Sequence, residues 1–536
     1  MTTRPVNLLR AVTVLQRRGM INLADPAGLL RAAHALRRYG SFGGLVTYTA
    51  SRYEDLPAVT DEQGTLTFRE LDQVSNAVAR VLITRRLSCD SAVGLLNRGH
   101  RGLLVSLAAA GKAGVRTVLL NTGFAGPQLH DVCVRERIRI VLADQEFAEL
   151  FPALPGDVDV VLNQSAEDDH DQRLLDDMAA GQSVDPLPYP KRPGGLVLLT
   201  SGTTGTPKGA PRDRINPLQS AQLLDRVPWP ANSSYVVAAP LFHATGLATA
   251  TVGLALGNRI VLARRFDPRA VLSAVAQHRA GAIILVPTML NRILDLGSDV
   301  IGRYDTSSLR VIFAAGSALS PEVCRRTLNT FGDVLYNLYG STEVATAAVA
   351  TPEELRLAPG TVGRPPVGCR IAAYDEHDQP ITRPGRSGTL YVSSGLSFSG
   401  YTDGGRKRVL DGLMSSGDTG HFDEHGLWYV DGRDDDMIVS GGENVYPIEV
   451  ENLLSEHPSI LEAAVVGTPD QDFGQRLCAF VVVRGSAILD ADGVKAYVRQ
   501  RLARHKVPRD IVFLDALPRN ETGKVLKNNL LARSAE

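Results

Sequence analysis

A ten-residue segment from Thr200 to Gly209, TSGTTGTPKG, combines the residue types that bind phosphate. Its glycines let backbone N–H groups approach an anion closely, its hydroxyls add hydrogen-bond donors, and Lys208 supplies a positive charge. The segment directly follows GLVLLT, an apolar run typical of a buried strand. It is not a P-loop, because GxxxxGK[ST] occurs nowhere in the chain. The pattern favours a phosphate-binding loop over a flexible surface loop.

Four further segments of the chain contain charged residues within short motifs. They are YNLYGSTEVA (336–345), SGDTGHFDEHGLWYVDGR (416–433), GRDDDMIVSGGENVYPIEVE (432–451) and LPRNETGKVLKNNL (517–530). A charged residue such as Glu343 or Lys524 is, by itself, more often a solvated surface residue, so any functional prediction depends on the whole set of segments.

In their order and spacing, these five segments resemble the adenylate-forming superfamily of acyl-CoA synthetases, peptide-synthetase adenylation domains and luciferases. The resemblance covers residues 45–536 and is nearest to a fatty-acid–CoA ligase. It implies an enzyme that uses ATP and Mg²⁺ to activate a carboxylic acid as an acyl-adenylate, and then transfers the acyl group to coenzyme A.

The resemblance also assigns residues to the nucleotide. It implies that the aromatic ring of Tyr339 stacks on adenine, that Thr342 contacts the α-phosphate, and that Glu343 binds the magnesium ion. Asp418 and Arg433 would hold the two ribose hydroxyls. The remaining contacts to phosphate, adenine and the acyl pocket would come from Thr200, Ser201, Gly202, Thr203, Thr204, Gly205, Lys208, Gly316, Ser317, Ala318 and Gly340.

Residues after 432 correspond to the family's mobile part. Lys524 matches the lysine that bridges the substrate carboxylate and the α-phosphate during adenylation. Asp435 matches the hinge residue about which the small domain turns after adenylation. Gly441 and Gly442 match the loop that then lines the tunnel for the thiol arm of coenzyme A.

The segment PLFHATGL (240–247) corresponds to the border of the family's acyl pocket. His243 would lie near the acyl carbonyl, although a structural histidine is a close alternative. The segment has no acid to bind an α-ammonium group, which argues against an amino-acid substrate. Leu247 stands where some long-chain members have an aromatic gate, so chain length stays open. We expect a medium- or long-chain fatty acid, with an aryl or branched acid as the rival, and coenzyme A rather than an acyl carrier protein as acceptor.

The elements that must position these residues alternate along the chain. Short apolar runs such as VGLLN (93–97) and RVIFAAG (310–316) are separated by helical patterns such as 68–82 and 268–278. This alternation predicts an α/β fold with sheets covered by helices, followed by a β-rich subdomain after residue 355. We predict a large domain at 41–431, a hinge at 432–435 and a small mobile α+β domain at 436–536.

Residues 1–40 carry seven arginines and one acid, Asp25, in two amphipathic helical patterns. They predict either a peripheral membrane contact or helices packed on the main body. The whole chain has a formal net charge of -1, which gives no long-range field for nucleic acid. Five cysteines without metal-binding spacing favour reduced thiols and a cytoplasmic protein. The oligomeric state is left open.

Overall fold

The computed structural model describes residues 5–88, 90–164, 175–200, 207–212, 220–398, 400–440, 443–470, 474–485, 487–520 and 523–534.

Sixteen α-helices lie within the described residues, and they are listed here in chain order. They are α1 (Pro5–Arg17), α2 (Pro26–Tyr53), α3 (Phe68–Thr84), α4 (Arg101–Ala113), α5 (Gly126–Arg135), α6 (Leu175–Ala179), α7 (Ala221–Leu224), α8 (Ala244–Ala255), α9 (Pro268–His278), α10 (Pro287–Leu294), α11 (Ser298–Ile301), α12 (Pro321–Phe331), α13 (Pro352–Leu357), α14 (Pro447–Ser455), α15 (Ala491–Arg499) and α16 (Lys527–Ser534).

The strands of the described residues form four sheets. They are β1 (Pro57–Asp61), β2 (Gly64–Thr67), β3 (Ala92–Leu96), β4 (Arg116–Leu119), β5 (Ile138–Asp144), β6 (Asp159–Gln164), β7 (Leu196–Leu199), β8 (Gly209–Pro211), β9 (Ser234–Val237), β10 (Arg259–Val261), β11 (Ala282–Leu285), β12 (Val311–Ala315), β13 (Leu335–Tyr339), β14 (Ala348–Ala350), β15 (Arg370–Tyr374), β16 (Gly388–Ser393), β17 (Val409–Leu410), β18 (Leu413–Phe422), β19 (Trp428–Arg433), β20 (Ile438–Ser440), β21 (Glu443–Val445), β22 (Ile460–Asp470), β23 (Gly474–Val483) and β24 (Asp510–Phe513).

Two mainly parallel sheets build the large part of the chain. One has the order β14-β13-β12-β11-β9-β10-β1-β2, and the other has the order β6-β5-β3-β4-β7-β8. Their strands are buried on both faces, as in β3 and β12, where every residue is buried. Helices α3, α4 and α8 contribute to the largest apolar cluster, which also includes residues from both sheets. The predicted alternation of strands and covering helices is confirmed.

Helix α3 illustrates how local sequence fixes an element. Thr67 caps its first turn by accepting the N–H of Glu70 at 3.1 Å, and the Glu70 carboxylate accepts the N–H of Thr67 at 2.8 Å. This reciprocal pair satisfies two backbone donors that a helix start otherwise leaves free. The apolar face of the helix, which includes Phe68 and Leu71, is fully buried.

The first two helices confirm the helical part of the N-terminal prediction. Val14 and Leu15 of α1 are buried, and the Arg18 guanidinium donates to the carbonyl of Leu224 at 3.0 Å. Asp25 caps α2 by accepting the N–H of Gly28 at 2.8 Å. The helix then kinks at Gly40, whose φ of 74° is unfavourable for residues with a side chain. One face of this segment therefore packs on the main body.

Residues 233–258, which carry no Asp, Glu, Lys or Arg before Arg259, form a strand, a turn and a buried helix. In the part of the chain that the structure describes, no helix combines the length and apolar character needed to span a bilayer.

The β-rich subdomain is a five-stranded sheet with the order β15-β16-β18-β17, in which β19 also pairs with β18. The chain then makes a short 3-10 turn at Asp434–Asp436 and enters the last sheet, β21-β20-β23-β22, with β24 on β23. Helices α14 and α15 and strands β22 and β23 share one apolar cluster.

The helical segment of the small domain is interrupted after residue 499. Helix α15 ends at Arg499, and a separate 3-10 turn follows at Arg504–Lys506. Val507 is extended, with a ψ of 119°. Its conformation has a simple cause, since Pro508 follows and a residue before proline disfavours the helical region.

Candidate nucleotide-binding site

The predicted phosphate loop connects the two antiparallel strands β7 and β8, in which Leu199 pairs with Gly209. The N–H of Thr200 donates to the carbonyl of Lys208 at 2.9 Å. The N–H of Lys208 in turn donates to Oγ1 of Thr200 at 3.2 Å. These bonds hold the two ends of the loop together at the end of a buried strand. The predicted contacts Ser201, Gly202, Thr203, Thr204 and Gly205 lie outside the described residues.

The Lys208 ammonium is held on one side by the segment around residue 401. Its Nζ lies 3.8 Å from Oδ2 of Asp403 and 5.1 Å from the centroid of the Tyr401 ring. The side chain is half exposed, so the charge keeps an open side for an anion. Asp403 and Tyr401 were not predicted from the sequence.

Glu343 lies in the turn that follows β13, and both of its carboxylate oxygens accept hydrogen bonds. Oε1 accepts from the Tyr401 hydroxyl at 2.7 Å, and Oε2 accepts from the Ser341 hydroxyl at 2.8 Å. Burial, followed by the neighbouring carboxylate, raises the pKa of Tyr401, which keeps its proton on the phenol. The carboxylate is thus oriented by two neutral donors.

The donor set around Glu343 fits magnesium. Mg²⁺ typically binds one or two carboxylates and completes its shell with water and substrate phosphates. Within the residues that the structure describes, no group of three or more His, Cys, Asp or Glu side chains could hold a metal ion. Glu343 is the side chain that would hold such a cation, with water and substrate phosphate oxygens completing the shell.

A buried arginine supports the backbone next to Glu343. The Arg212 guanidinium donates to the carbonyl oxygens of Thr342 and Leu396. Burial lowers the pKa of Arg212 to about 10, and the Glu343 charge partly offsets this effect. The N–H of Phe398 also donates to the carbonyl of Glu343 at 2.8 Å. Arg212 therefore joins the end of the phosphate hairpin to the turn that contains Thr342 and Glu343.

The predicted base and ribose residues are in direct contact. The Tyr339 hydroxyl donates to Oδ2 of Asp418 at 2.6 Å. Asp418 and Arg433 lie opposite one another on β18 and β19, and Nε of Arg433 is 4.0 Å from Oδ1 of Asp418. Burial raises the pKa of Tyr339 well above its usual value, and it also raises that of Asp418. Because Tyr339 at the end of β13 stands four residues before Glu343, the Tyr339–Asp418 contact lies close along the chain to the Glu343 turn.

The predicted backbone contacts lie at the carboxyl ends of neighbouring parallel strands. Gly316 follows β12 with a φ of 96°, and Ser317 and Ala318 come directly after it. Gly340 follows β13, where an added Cβ would lie only 1.8 Å from the carbonyl oxygen of Ala345. This edge of a parallel sheet is the usual ligand site of α/β folds.

His243 stands at the start of α8, close to the same edge. Its ring lies 4.5 Å from the Phe242 ring. Its Nε2 is buried, and the described residues offer it no hydrogen-bond partner. Burial lowers the pKa of His243 to about 4, so the ring is neutral at pH 7. The predicted contact of His243 with the acyl group stays a prediction.

Lys524 lies in a tight loop that contacts the large domain. Asn520 holds this loop, since its Oδ1 accepts the N–H of Lys524 at 2.9 Å. At Gly523 an added Cβ would lie 2.2 Å from Oγ1 of Thr288. Thr288 is in the first turn of α10, which follows β11 in the parallel sheet. The Lys524 loop therefore lies against the strand edge that presents Gly316 and Gly340.

Two ion pairs also join the small and large domains. Arg325 lies 3.0 Å from Glu456, and Arg484 lies 3.4 Å from Asp295. Near the predicted hinge, Nζ of Lys527 is 3.3 Å from Oδ2 of Asp436. The hinge role of Asp435 stays a prediction, and Gly441 and Gly442 lie outside the described residues.

Sequence comparison with known families gives two matches in this chain. The profile of AMP-binding enzymes matches residues 46–402, and the profile of the AMP-binding enzyme C-terminal domain matches residues 449–524. This chain belongs to the AMP-binding enzyme family. The adenylate-forming resemblance and the predicted fold are thereby confirmed, whereas the narrower resemblance to fatty-acid–CoA ligases stays a prediction.

Individual relatives span nearly the whole chain. The indoleacetate–CoA ligase of Aromatoleum aromaticum is 32% identical over 87% of this chain and 92% of its own length. The fatty acid–[acyl-carrier-protein] ligase ScoC of Streptomyces coeruleorubidus is 29% identical over 91% of this chain and 95% of its own. The crystal structure of ATP-bound MatB from Rhodopseudomonas palustris superposes with a TM-score of 0.80, at 28% identity, covering 92% of this AMP-binding enzyme and 99% of MatB.

Proposed function

We propose that this AMP-binding enzyme is an acid–thiol ligase that activates a carboxylic acid with ATP and transfers it to coenzyme A. The observation that carries the proposal is the contact network of Tyr401, which reaches Glu343 through its hydroxyl and Lys208 through its ring. A carboxylate for a cation and an ammonium for phosphate thus contact the same tyrosine, and Tyr339, which donates to Asp418, stands four residues before Glu343 in the chain. Such an arrangement suits one nucleotide whose base, sugar and phosphates are recognised separately.

In the first half-reaction, the substrate carboxylate attacks the α-phosphorus of ATP, and pyrophosphate leaves as acyl-AMP forms. Lys208 and the backbone of its loop would bind the phosphates, and Asp418 would accept hydrogen bonds from the ribose. Lys524 would stabilise the charge that builds on the carboxylate and α-phosphate oxygens. Glu343 would hold magnesium, which would neutralise phosphate charge.

In the second half-reaction, the coenzyme A thiol attacks the acyl carbonyl, and AMP leaves with the electrons of the broken C–O bond. This step needs Lys524 withdrawn and a path opened for the thiol arm, which we assign to rotation of residues 436–536 about Asp435. Such a rotation must break, among other contacts, the Gly523–Thr288 approach and the two surface ion pairs.

For the substrate we propose a medium- or long-chain fatty acid. The segment around His243 contains no acid, so it lacks a partner for a substrate ammonium group. His243 itself is neutral and faces a buried position without a protein partner for Nε2, which suits an uncharged group. An aryl acid is the second candidate, because the relative that is 32% identical is an indoleacetate–CoA ligase.

An acyl carrier protein is the alternative to coenzyme A as the acceptor of the acyl group. The ScoC relative is named for an acyl carrier protein, so a ligase that loads such a carrier is the second candidate function. The two differ only in the second half-reaction, and pyrophosphate release by itself does not separate them.

The test is a pyrophosphate-release screen of the purified enzyme with fatty acids of different lengths and with aryl acids, each with and without coenzyme A. We expect acid-dependent pyrophosphate release, and thioester only when coenzyme A is present. Release without thioester, in the presence of coenzyme A, would favour the carrier-protein ligase. The absence of pyrophosphate release with every acid would contradict the proposed function.

A further inference from the structure

An exposed stripe runs along the first helix. Leu9, Thr13 and Gln16 follow one another at spacings of four and three residues, which places them on one face of α1. All three are exposed, and the side chain of Leu9 is 69% exposed. At its end, Oε1 of Gln16 accepts the N–H of Leu23 at 2.9 Å. This bond connects the stripe to the segment that leads into α2.

The same surface continues along the second helix. Leu23 lies in the turn before α2, and Ala27, Leu30, His34 and Arg37 of α2 are spaced by three or four residues. All five are exposed. The leucines at 23 and 30 are 55% and 71% exposed. Single exposed leucines are common on protein surfaces, but Leu9, Leu23 and Leu30 are exposed within two consecutive helices and the turn that joins them. We name the following eight residues the N-terminal stripe: Leu9, Thr13, Gln16, Leu23, Ala27, Leu30, His34 and Arg37.

The faces of α1 and α2 that point away from the N-terminal stripe are packed on the main body of the enzyme. Val14 and Leu15 of α1, and Ala35 and Tyr39 of α2, are buried. The Tyr39 hydroxyl also donates to the carbonyl of Leu187 at 2.6 Å. The apolar side chains of the stripe therefore cannot turn into the core, because the core already holds the other face. Their exposure is a property of the folded chain.

Positive charge surrounds the stripe. Arg10, Arg17, Arg31 and Arg37 are exposed, and Asp25 is the single acid among residues 5–40. Arg31 is 3.7 Å from Asp25, and Arg17 is 4.0 Å from Asp225. For Arg10 and Arg37, no carboxylate of the described chain lies within ion-pair distance. The surface is therefore both apolar and basic.

An aromatic side chain stands beside the α2 end of the stripe. Tyr189 is 61% exposed, and its hydroxyl lies 2.8 Å from Nε2 of His34. The Arg38 guanidinium lies 4.2 Å from the centroid of its ring. Tyrosine beside arginine is typical of surfaces that meet the headgroup region of a bilayer, where one end of the side chain is apolar and the other is wet.

We propose that the N-terminal stripe binds the surface of an anionic membrane. Its leucines would enter the boundary between headgroups and acyl chains while the flanking arginines contact lipid phosphates. A free phosphate would use the arginines but leave the leucines unexplained, and an acidic protein would not require the exposed leucines. This proposal is independent of the proposed acid–thiol ligase activity.

The test uses the full chain and co-sedimentation with vesicles. One set of vesicles contains phosphatidylglycerol in phosphatidylcholine, and the other contains phosphatidylcholine alone. We expect binding to the anionic vesicles, weaker binding to the neutral ones, and a decrease with added salt because the charge contribution is screened. The variant Leu9→Glu/Leu30→Glu should lose about tenfold or more in binding, and Arg10→Glu/Arg37→Glu should lose about tenfold on anionic vesicles only.

Leu357→Glu is the matched control, since Leu357 on α13 is 65% exposed and lies outside the stripe. It should bind vesicles like the wild type, and all variants should keep the wild-type far-UV circular dichroism. Equal binding by Leu9→Glu/Leu30→Glu and the wild type would overturn the proposal, as would a wild type that binds neither vesicle. A wild-type dimer that Leu9→Glu/Leu30→Glu dissociates, without any vesicle binding, would instead assign the stripe to contact between copies.

Discussion

The Tyr401 hydroxyl donates a hydrogen bond of 2.7 Å to Oε1 of Glu343, across 58 residues of sequence. The same tyrosine ring lies 5.1 Å from Nζ of Lys208. Tyr401 therefore positions the carboxylate proposed for magnesium relative to the ammonium proposed for phosphate.

Replacing Tyr401 by Phe should raise the Mg²⁺ concentration needed for half-maximal pyrophosphate release. A hydrogen bond to a charged group contributes about 1.5–3 kcal/mol, so we expect kcat/KM for ATP to fall by roughly 10- to 100-fold. Tyr374→Phe is the matched control, because that hydroxyl donates to Asp411 at 2.9 Å in the β-rich subdomain. An unchanged magnesium dependence in Tyr401→Phe would contradict the positioning role.

Replacing Lys524 by Ala should separate the two half-reactions. The rate of adenylation should fall by about 10²- to 10³-fold, which is the typical effect of removing one electrostatic contact to a transition state. Thioester formation from supplied acyl-AMP should be largely kept, because the proposed rotation would withdraw Lys524 for that step. The measurements are pyrophosphate release and thioester formation, with Lys495→Ala on α15 as control. Equal loss of both half-reactions would refute this division of roles.

The Arg325–Glu456 ion pair should favour the domain orientation described here. Both side chains are about 40% exposed, so their attraction is worth less than about 1 kcal/mol. Arg325→Glu should therefore lower the adenylation rate only severalfold, and mostly at low salt. The exchanged pair Arg325→Glu/Glu456→Arg should restore it. If the exchanged pair is no better than the single variant, the ion pair has no such role.

Buried His243 should make the enzyme less stable in acid. Its folded pKa of about 4 lies below the ordinary value of 6.5, so the unfolded chain binds more protons between these pH values. The stability that the neutral ring contributes is therefore complete above pH 6.5, and it is lost as the pH falls towards 4. Urea unfolding at pH 5 and pH 8 measures this effect.

The variant His243→Gln removes the titrating group. The difference in unfolding free energy between pH 8 and pH 5 should therefore be smaller in this variant than in the wild type. Identical differences in both proteins would show that His243 does not titrate below its ordinary range.

Much of the architecture could be predicted from local patterns. The apolar runs of β3 and β12, the capped helix α3 and the helices at the N-terminus are all visible in the chain, because strand and helix periods are properties of neighbouring residues. The phosphate loop and the Tyr339, Asp418 and Lys524 segments could be found for a similar reason, since each keeps its chemistry within one short motif.

Other features depend on contacts between distant segments of the chain. The periodicity of neighbouring residues does not indicate such contacts. The bond from Arg212 to the carbonyl of Thr342 spans 130 residues, and nothing in the sequence joins Tyr401 to Glu343. The row of exposed leucines also needed the fold, because an amphipathic pattern does not tell which apolar side chains the core has room to bury. The sequence by itself determined the elements and the motifs of this AMP-binding enzyme. Only the tertiary structure decided which side chains meet and which stay exposed, because packing brings together residues that are far apart in the chain.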